Sequence, residues 1–144
     1  MPKFVRDESG VGAIEFAFIA PMLALVLVGI MSGWAYYQQN NYMRDGLEVA
    51  GKYFLQGGTS QATAVSIAKA AWTDKPAGGT VEVNKTCYCA GVAHSCSSVC
   101  SDSSVPETHW TIEASSVFND PFFVNNPMLP DGMALYEREV IRVR

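Results

Sequence analysis

The sequence lacks an excess of positive charge. Its 144 residues include 10 Lys and Arg against 14 Asp and Glu, which gives a formal net charge of -4. Proteins that hold nucleic acid present a basic patch or stripe to the phosphates, and none is visible here. Histidine is also scarce, with two residues. No serine, cysteine or carboxylate has a base at a credible spacing, so we expect neither a nucleic-acid partner nor an enzyme.

Charge of either sign is missing from one long segment. The run AFIAPMLALVLVGIMSGWAYY, Ala17 to Tyr37, contains no charged side chain, and about 20 apolar residues suffice to cross the hydrocarbon of a bilayer. The aromatic residues Trp34, Tyr36 and Tyr37 close the run, as is typical where a helix reaches the headgroups. We therefore predict a single transmembrane helix over residues 11–37.

The flanks of this run indicate its orientation. Lys3 and Arg6 precede it, and the next basic residue after it is Arg44. Because basic residues stay preferentially on the cytoplasmic side, the N-terminus is predicted to be cytoplasmic and the bulk of the chain to lie outside. Asp7 and Glu8 weaken this bias.

Cysteine is sparse, with four residues that lie close together: Cys87, Cys89, Cys96 and Cys100. An even set suits an oxidising compartment and favours two disulfides. The alternative is a zinc site with His94 as a ligand, although the spacing is not that of paired C-x-x-C motifs. Cys87 and Cys89 would lie about 6.5 Å apart on one face of a strand, so each is expected to bridge to Cys96 or Cys100.

The transmembrane helix is predicted to continue through residues 38–57, because apolar residues recur there at spacings of three and four beside charged ones. The whole helix would run from Gly12 to Gln56 and end at the glycine pair that follows. Pro21 lies inside it, and we expect a kink or local melting there.

Residues 58–144 are predicted to form an extracytoplasmic α+β domain. Thr59 or Ser60 would cap a short second helix. The apolar face of that helix is predicted at Ala62, Val65, Ala68, Ala71 and Trp72. The alternating pattern then predicts three strands of a small antiparallel sheet with a disulfide-stapled loop. The strands are expected at Val81 to Cys89, His109 to Val117, and Leu135 to Val143.

One acid, Glu15, stands near the start of the apolar run. A charge at the centre of a bilayer costs roughly 2.5 to 3.5 kcal/mol, so such a residue is a candidate functional site with a partner. Cutting the chain after Gly10 would give Val11 a positively charged α-amine, about one turn from Glu15. The alternative is that Glu15 is solvated at the cytoplasmic headgroup boundary.

Within the run, Gly29 and Gly33 have the spacing of a close helix-packing face.

The N-terminal segment resembles a known family. G-V-G-A-I-E-F, Gly10 to Phe16, resembles the processing motif of type IV pilin precursors, in which a prepilin peptidase cuts after the glycine. More narrowly, GAIEFAFIAPMLALVLVGI followed by YYQQNNYMRDGLEVAGKYFLQG is similar to the TadE-like pseudopilins of tight-adherence (Tad, or Flp-type) pilus systems. The resemblance extends from Gly10 to about Gly57.

The resemblance implies roles for particular residues. Residues 1–10 would be a leader, Gly10 would precede the cut, and Val11 would be the first mature residue. Glu15 would be needed for processing or assembly. Phe16 stands where Flp-type pilins often have tyrosine, and the leader is less basic than usual.

The resemblance also implies a minor pseudopilin in the bacterial inner membrane, with a periplasmic or extracellular domain and without cofactor or metal. It would prime or cap a pilus used for surface adherence. Its partners would be the prepilin peptidase, the major Flp-type pilin, other minor pseudopilins, the inner-membrane assembly platform and the lipid bilayer. Two alternatives stay open, an uncleaved signal-anchored binding domain and a protein secreted after cleavage at Ala35.

Overall fold

A computed structural model describes residues 9–122 and 132–143 of the chain. It contains two helices, α1 (Ser9–Leu55) and α2 (Gln61–Ala71). Four strands follow: β1 (Thr80–Cys89), β2 (Val92–His94), β3 (Glu107–Phe118) and β4 (Met133–Val143). The predicted α+β fold, with a long N-terminal helix, a short second helix and an antiparallel sheet, is confirmed.

Helix α1 has 47 residues, which corresponds to about 70 Å at 1.5 Å per residue. It ends in a Schellman motif. Gly57, with φ of 90°, donates its backbone N–H to Phe54 O, and Gly58 donates to Tyr53 O, as in helices that end on a left-handed glycine. The expected local melting at Pro21 was wrong, because the helix runs through it without a break. A missing N–H removes one hydrogen bond, and the flanking turns maintain the helix.

Helix α2 begins where the sequence predicts and uses most of the predicted face. Ser60 is the N-cap, and its side chain accepts a hydrogen bond from Thr63 N at 3.2 Å. Ala68 and Trp72 are buried and Val65 packs against the core, as predicted. Ala62 is exposed and Ala64 is buried in its place, because alanines on several sides of the helix leave its first turn to be decided by what it packs against.

The sheet has the order β2-β1-β3-β4, and every neighbouring pair is antiparallel. The three predicted strands are confirmed, and the short β2 was missed. It pairs with the end of β1 across a two-residue turn, Ala90-Gly91, in which both residues have positive φ. This is the backbone of the type I′ hairpin, which is usually signalled by Asn-Gly. Asn126-Pro127 and Pro130-Asp131, whose residue types favour a turn between the last two strands, lie outside the described residues.

The core lies between one face of the sheet and the two helices. Phe54 stacks on Trp110 with ring centroids 4.2 Å apart, and Tyr36 meets Phe118 edge-on at 5.5 Å. On α1, Tyr36 and Phe54 lie 18 residues apart, which is about 27 Å along the helix. On β3, Phe118 and Trp110 lie eight residues apart, which is also about 27 Å. Helix and strand therefore run antiparallel along each other. Trp72, which follows the last residue of α2, adds a third large aromatic side chain to this core.

Candidate functional site

The first half of α1 is apolar and exposed. We call residues 14–31 the anchor segment. Nearly all of its side chains face outwards, including Phe18 at 76 % exposed and Met22 at 70 %. By length and composition α1 can cross a membrane. The anchor segment extends over about 27 Å, close to the roughly 30 Å of bilayer hydrocarbon.

The α+β domain formed by α2 and the sheet contacts α1 immediately after the anchor segment. Ser32 Oγ donates a hydrogen bond to Asp120 Oδ1 at 3.1 Å, and Tyr36 packs against Phe118. From Met43 to Phe54 the helix buries one face completely. We call residues 42–54 the packed half. One continuous helix is thus divided between an unpartnered apolar end and an end built into the domain.

Glu15 stands exposed one residue into the anchor segment, between the exposed side chains of Ile14 and Phe16. None of the ion pairs among the described residues includes it. Gly10 and Val11 lie in the first turn of α1. Four helical residues separate Val11 from Glu15, which is about 6 Å along the axis. The helix therefore brings the predicted cleavage position to within about one turn of the acid.

Gly29 and Gly33 lie four residues apart on the exposed helix. A Cβ added at either position would meet nothing within 4 Å. Both glycines therefore leave the backbone open to a neighbouring surface, which is the requirement for close helix packing.

Comparison with protein families identifies this same part of the chain. The model of the TadE-like protein family matches residues 10–50. Over this segment the chain is similar to the TadE-like family. The match covers the anchor segment and much of the packed half, whereas α2 and the sheet lie outside it. Searches of curated proteins and of solved structures found no match.

The similarity of this segment to the TadE-like family suggests a protein associated with the Tad pilus. A pilus component works in association with other pilus proteins. The long apolar helix in turn suggests membrane anchoring.

The TadE-like segment is followed by a domain whose cysteines are all paired. Disulfides join Cys87 to Cys96 and Cys89 to Cys100, with Cα atoms 5.2 and 5.7 Å apart. This confirms the predicted disulfides. The sequence left open whether Cys87 bridges to Cys96 or to Cys100, and the structure has the bridge to Cys96. The alternative zinc site was wrong, because the four sulfurs are bonded to each other and cannot act as thiolate ligands. His94 is exposed, and its Nδ1 lies 3.1 Å from Ser95 O.

Two glycines of the TadE-like helix were not singled out from the sequence. A Cβ at Gly46 would lie 2.8 Å from Ala68 O, and one at Gly51 would lie 2.7 Å from Ile141 Cδ1. Both let another element approach the backbone of the packed half. Their position among buried residues at helical spacing was the available signal.

Strand β4 brings acids towards the packed half. Glu137 and Glu139 share the helix-facing side of the strand with Leu135 and Ile141. Burial raises the pKa of the Glu139 carboxyl above its ordinary value, and the nearby Glu48 carboxylate raises this pKa further. Inward-pointing charge is a recognised protection of an edge strand against pairing with other chains. This arrangement was not predicted, because the alternation of residues in a strand does not say which face is buried.

Proposed function

We propose that this TadE-like chain is a minor pseudopilin of a Tad pilus, anchored in the inner membrane with its N-terminus in the cytoplasm. The observation that carries the proposal is the anchor segment, whose apolar side chains are exposed on all sides of the helix. Such a surface requires an apolar environment, because water would solvate it at a large cost. Lipid provides that environment before assembly, and neighbouring pilin helices provide it in the filament.

In this proposal the anchor segment acts by lateral packing. The driving force between helices in lipid is close van der Waals contact rather than the hydrophobic effect. Gly29 and Gly33 expose the backbone where a neighbouring helix can approach. The anchor segment can therefore exchange lipid for protein without refolding the domain.

Glu15 would set the axial register of that packing. Prepilin peptidase would cut between Gly10 and Val11 and create an α-amine that is positively charged near neutral pH. An acid at bilayer depth requires a partner, and Glu15 has none among the ion pairs of the described residues. A charge pair between Glu15 and this amine, in the same chain or a neighbouring one, would be satisfied at one axial offset only.

The domain would project away from the membrane. Strand β3 starts at Glu107 and reaches the membrane-proximal contact with Tyr36 at Phe118, about 36 Å further on. We call the β1–β2 hairpin and the disulfide-bonded loop after it, residues 87–100, the cysteine hairpin. It lies beside the Glu107 end of β3. It therefore lies at the far end of the domain from the anchor segment, where a priming or tip component would meet its surroundings.

The decisive experiment is mass spectrometry of the N-terminal peptide of the protein isolated from its native cell. A start at Val11 would establish prepilin processing. A start at Met1 or Pro2 would contradict it and favour an uncleaved anchored binding domain, and a start at Tyr36 would indicate a secreted protein.

The register role has its own test. Glu15→Ala should leave membrane insertion intact and abolish pilus assembly, because the α-amine loses its partner. Glu48→Ala is the matched control, since it removes an acid of the same helix that pairs with Lys52 on the surface; piliation should be normal. Normal piliation in Glu15→Ala as well would refute the register role.

A further inference from the structure

The connection that leaves β3 is fastened to the end of the anchor segment. Asp120 Oδ1 accepts two hydrogen bonds, one from Ser32 Oγ at 3.1 Å and one from the backbone N–H of Phe122 at 2.8 Å. The first bond ties the connection to α1, and the second folds the chain back at Pro121. Asp120 therefore fixes the position of Phe122 relative to the helix axis.

This attachment determines the depth of Phe122. Ser32 lies 21 residues beyond Val11, or about 32 Å along the helix, and the hydrocarbon is roughly 30 Å thick. With Val11 at the cytoplasmic edge and Glu15 inside the hydrocarbon, Ser32 and the attached connection lie at the outer boundary between acyl chains and headgroups. Phe122 is held at the same level.

The side chains at this level are those of a membrane interface. Phe122 and Val117 are each 45 % exposed, and they belong to the domain. Trp34 and Tyr37, 61 % and 58 % exposed, belong to α1, with ring centroids 6.2 Å apart. Exposed aromatic rings at one depth form the belt that membrane proteins place at the headgroups. Here both the helix and the domain contribute to it.

A cleft of about 340 Å³ lies between α1 and the end of the sheet, and its walls are both polar and apolar. Gln38, Gln39 and Asn119 contribute amides, whereas Val117 and Pro121 contribute apolar surface. Amides beside apolar side chains are compatible with the boundary between acyl chains and hydrated headgroups.

We propose that Pro121 and Phe122 insert into the outer boundary of the bilayer and give the domain a second membrane contact beside α1. The proposal rests on the membrane anchoring inferred above. A single helix would leave the domain free to tilt, whereas contacts on two sides of the helix axis fix its orientation. The sheet is then presented upright, with the cysteine hairpin directed away from the lipid.

The test compares three positions in the full chain, reconstituted in nanodiscs of phosphatidylethanolamine and phosphatidylglycerol. Phe18, Phe122 and Leu55 are replaced singly by fluorophenylalanine, and fluorine NMR follows each label. A nitroxide on the lipid acyl chain reports contact with lipid, and a soluble gadolinium chelate reports contact with water. Leu55 is the matched control, because it is 65 % exposed on the same helix about 35 Å beyond Ser32.

The expected result is that the lipid nitroxide removes the signals of the Phe18 and Phe122 labels and spares that of Leu55, while the chelate does the reverse. A Phe122 label that behaves like Leu55 while Phe18 is lost to the nitroxide would overturn the second contact and leave the anchoring intact. A Phe18 label that also behaves like Leu55 would overturn both.

The attachment is tested separately with Asp120→Ala, in which the Phe122 label should move from the lipid reagent towards the aqueous one while the Phe18 label does not change. An unchanged Phe122 label would overturn the role assigned to Asp120.

Discussion

Helix α1 contains two regions whose apolar residues have opposite surroundings. In the anchor segment Phe18 is 76 % exposed, whereas in the packed half Phe54 is 0 % exposed and stacked on Trp110. The glycines differ in the same way: Gly29 of the anchor segment faces open space, and Gly46 of the packed half lies against Ala68. Apolar residues therefore do not by themselves define a core.

The distribution of polar and apolar side chains around the axis of α1 therefore decides which environment each region suits. The packed half combines its buried stripe with charged residues on the other side, among them Arg44, Glu48 and Lys52, as an amphipathic helix at a protein–water boundary does. The anchor segment has no polar side opposite its apolar one. It therefore suits lipid or a ring of other helices, because none of its faces is polar enough to be well solvated by water.

The largest effect is expected from removing a phenylalanine in each region. Phe54→Ala should lower the free energy of unfolding of the domain by about 3 to 5 kcal/mol, because it leaves a cavity beside Trp110. Phe18→Ala, the matched control, should leave it unchanged. Urea unfolding of the full chain in detergent micelles, followed by near-ultraviolet circular dichroism, measures both. Equal effects of the two variants would contradict the division of α1.

A smaller effect is expected from opening a disulfide, which stabilises the domain and not the anchor segment. Replacing Cys87 and Cys96 together by serine releases a bridge between residues nine apart. This should cost about 2.5 kcal/mol of domain stability, mainly by freeing the unfolded chain. Thermal unfolding measures the loss, and carbonate extraction of membranes should show unchanged insertion. Loss of insertion would show that the anchor segment depends on the domain.

The glycines provide a subtler comparison. Gly46→Ala should destabilise the domain by about 1 to 2 kcal/mol, because the added Cβ would come within 2.8 Å of Ala68 O and force α1 and α2 apart. Gly33→Ala adds the same methyl group in open space and should leave domain stability unchanged. Chemical unfolding of the two variants side by side is the measurement. A destabilising Gly33→Ala would mean that the helix surface around Gly33 packs on the domain.

The smallest effect concerns the acid that faces the packed half from β4. The pKa of Glu139 is raised in the folded state, mainly by burial and then by Glu48, and is partly restored by Arg44 and Lys52. An acid with a raised folded pKa destabilises the fold above its unfolded pKa of about 4.3 and is neutral in effect below it. Glu139→Gln should therefore stabilise the domain at pH 7, by less than about 1 kcal/mol given its exposure, and the gain should vanish near pH 3.

The control for this pH effect has the opposite sign. Hydrogen bonding to Lys52 and its charge hold the pKa of Glu48 below its ordinary value, so the ionised form is favoured in the folded state. Glu48→Gln should lower stability at pH 7 and lose its effect as the pH falls. Urea titrations at several pH values give both signs, and a stabilising Glu48→Gln would contradict the assignment.

Local patterns in the sequence were sufficient to predict the two helices and three of the four described strands. They also located the region that matches the TadE-like family. The glycine pair at 57–58 marks the end of α1, and Ser60 caps α2 in the structure as predicted. Strand β2 was not predicted, because its three exposed residues show no alternation of buried and exposed positions. Ala-Gly is also a weak signal for a hairpin turn. The cleavage position, the role of Glu15 and the use of Gly29 and Gly33 remain predictions, since each depends on a partner outside this chain.

By itself the sequence determined that the chain has an apolar helix with an acid near its start, a short capped helix, alternating strands and an even set of cysteines. These properties depend on neighbours within a few residues, where backbone geometry fixes the period. The tertiary structure alone decided which cysteines pair, that Gly46 admits α2, that Glu139 faces the helix and that Asp120 is bonded to Ser32. Each of these joins groups distant in sequence, and only packing brings such groups within contact distance.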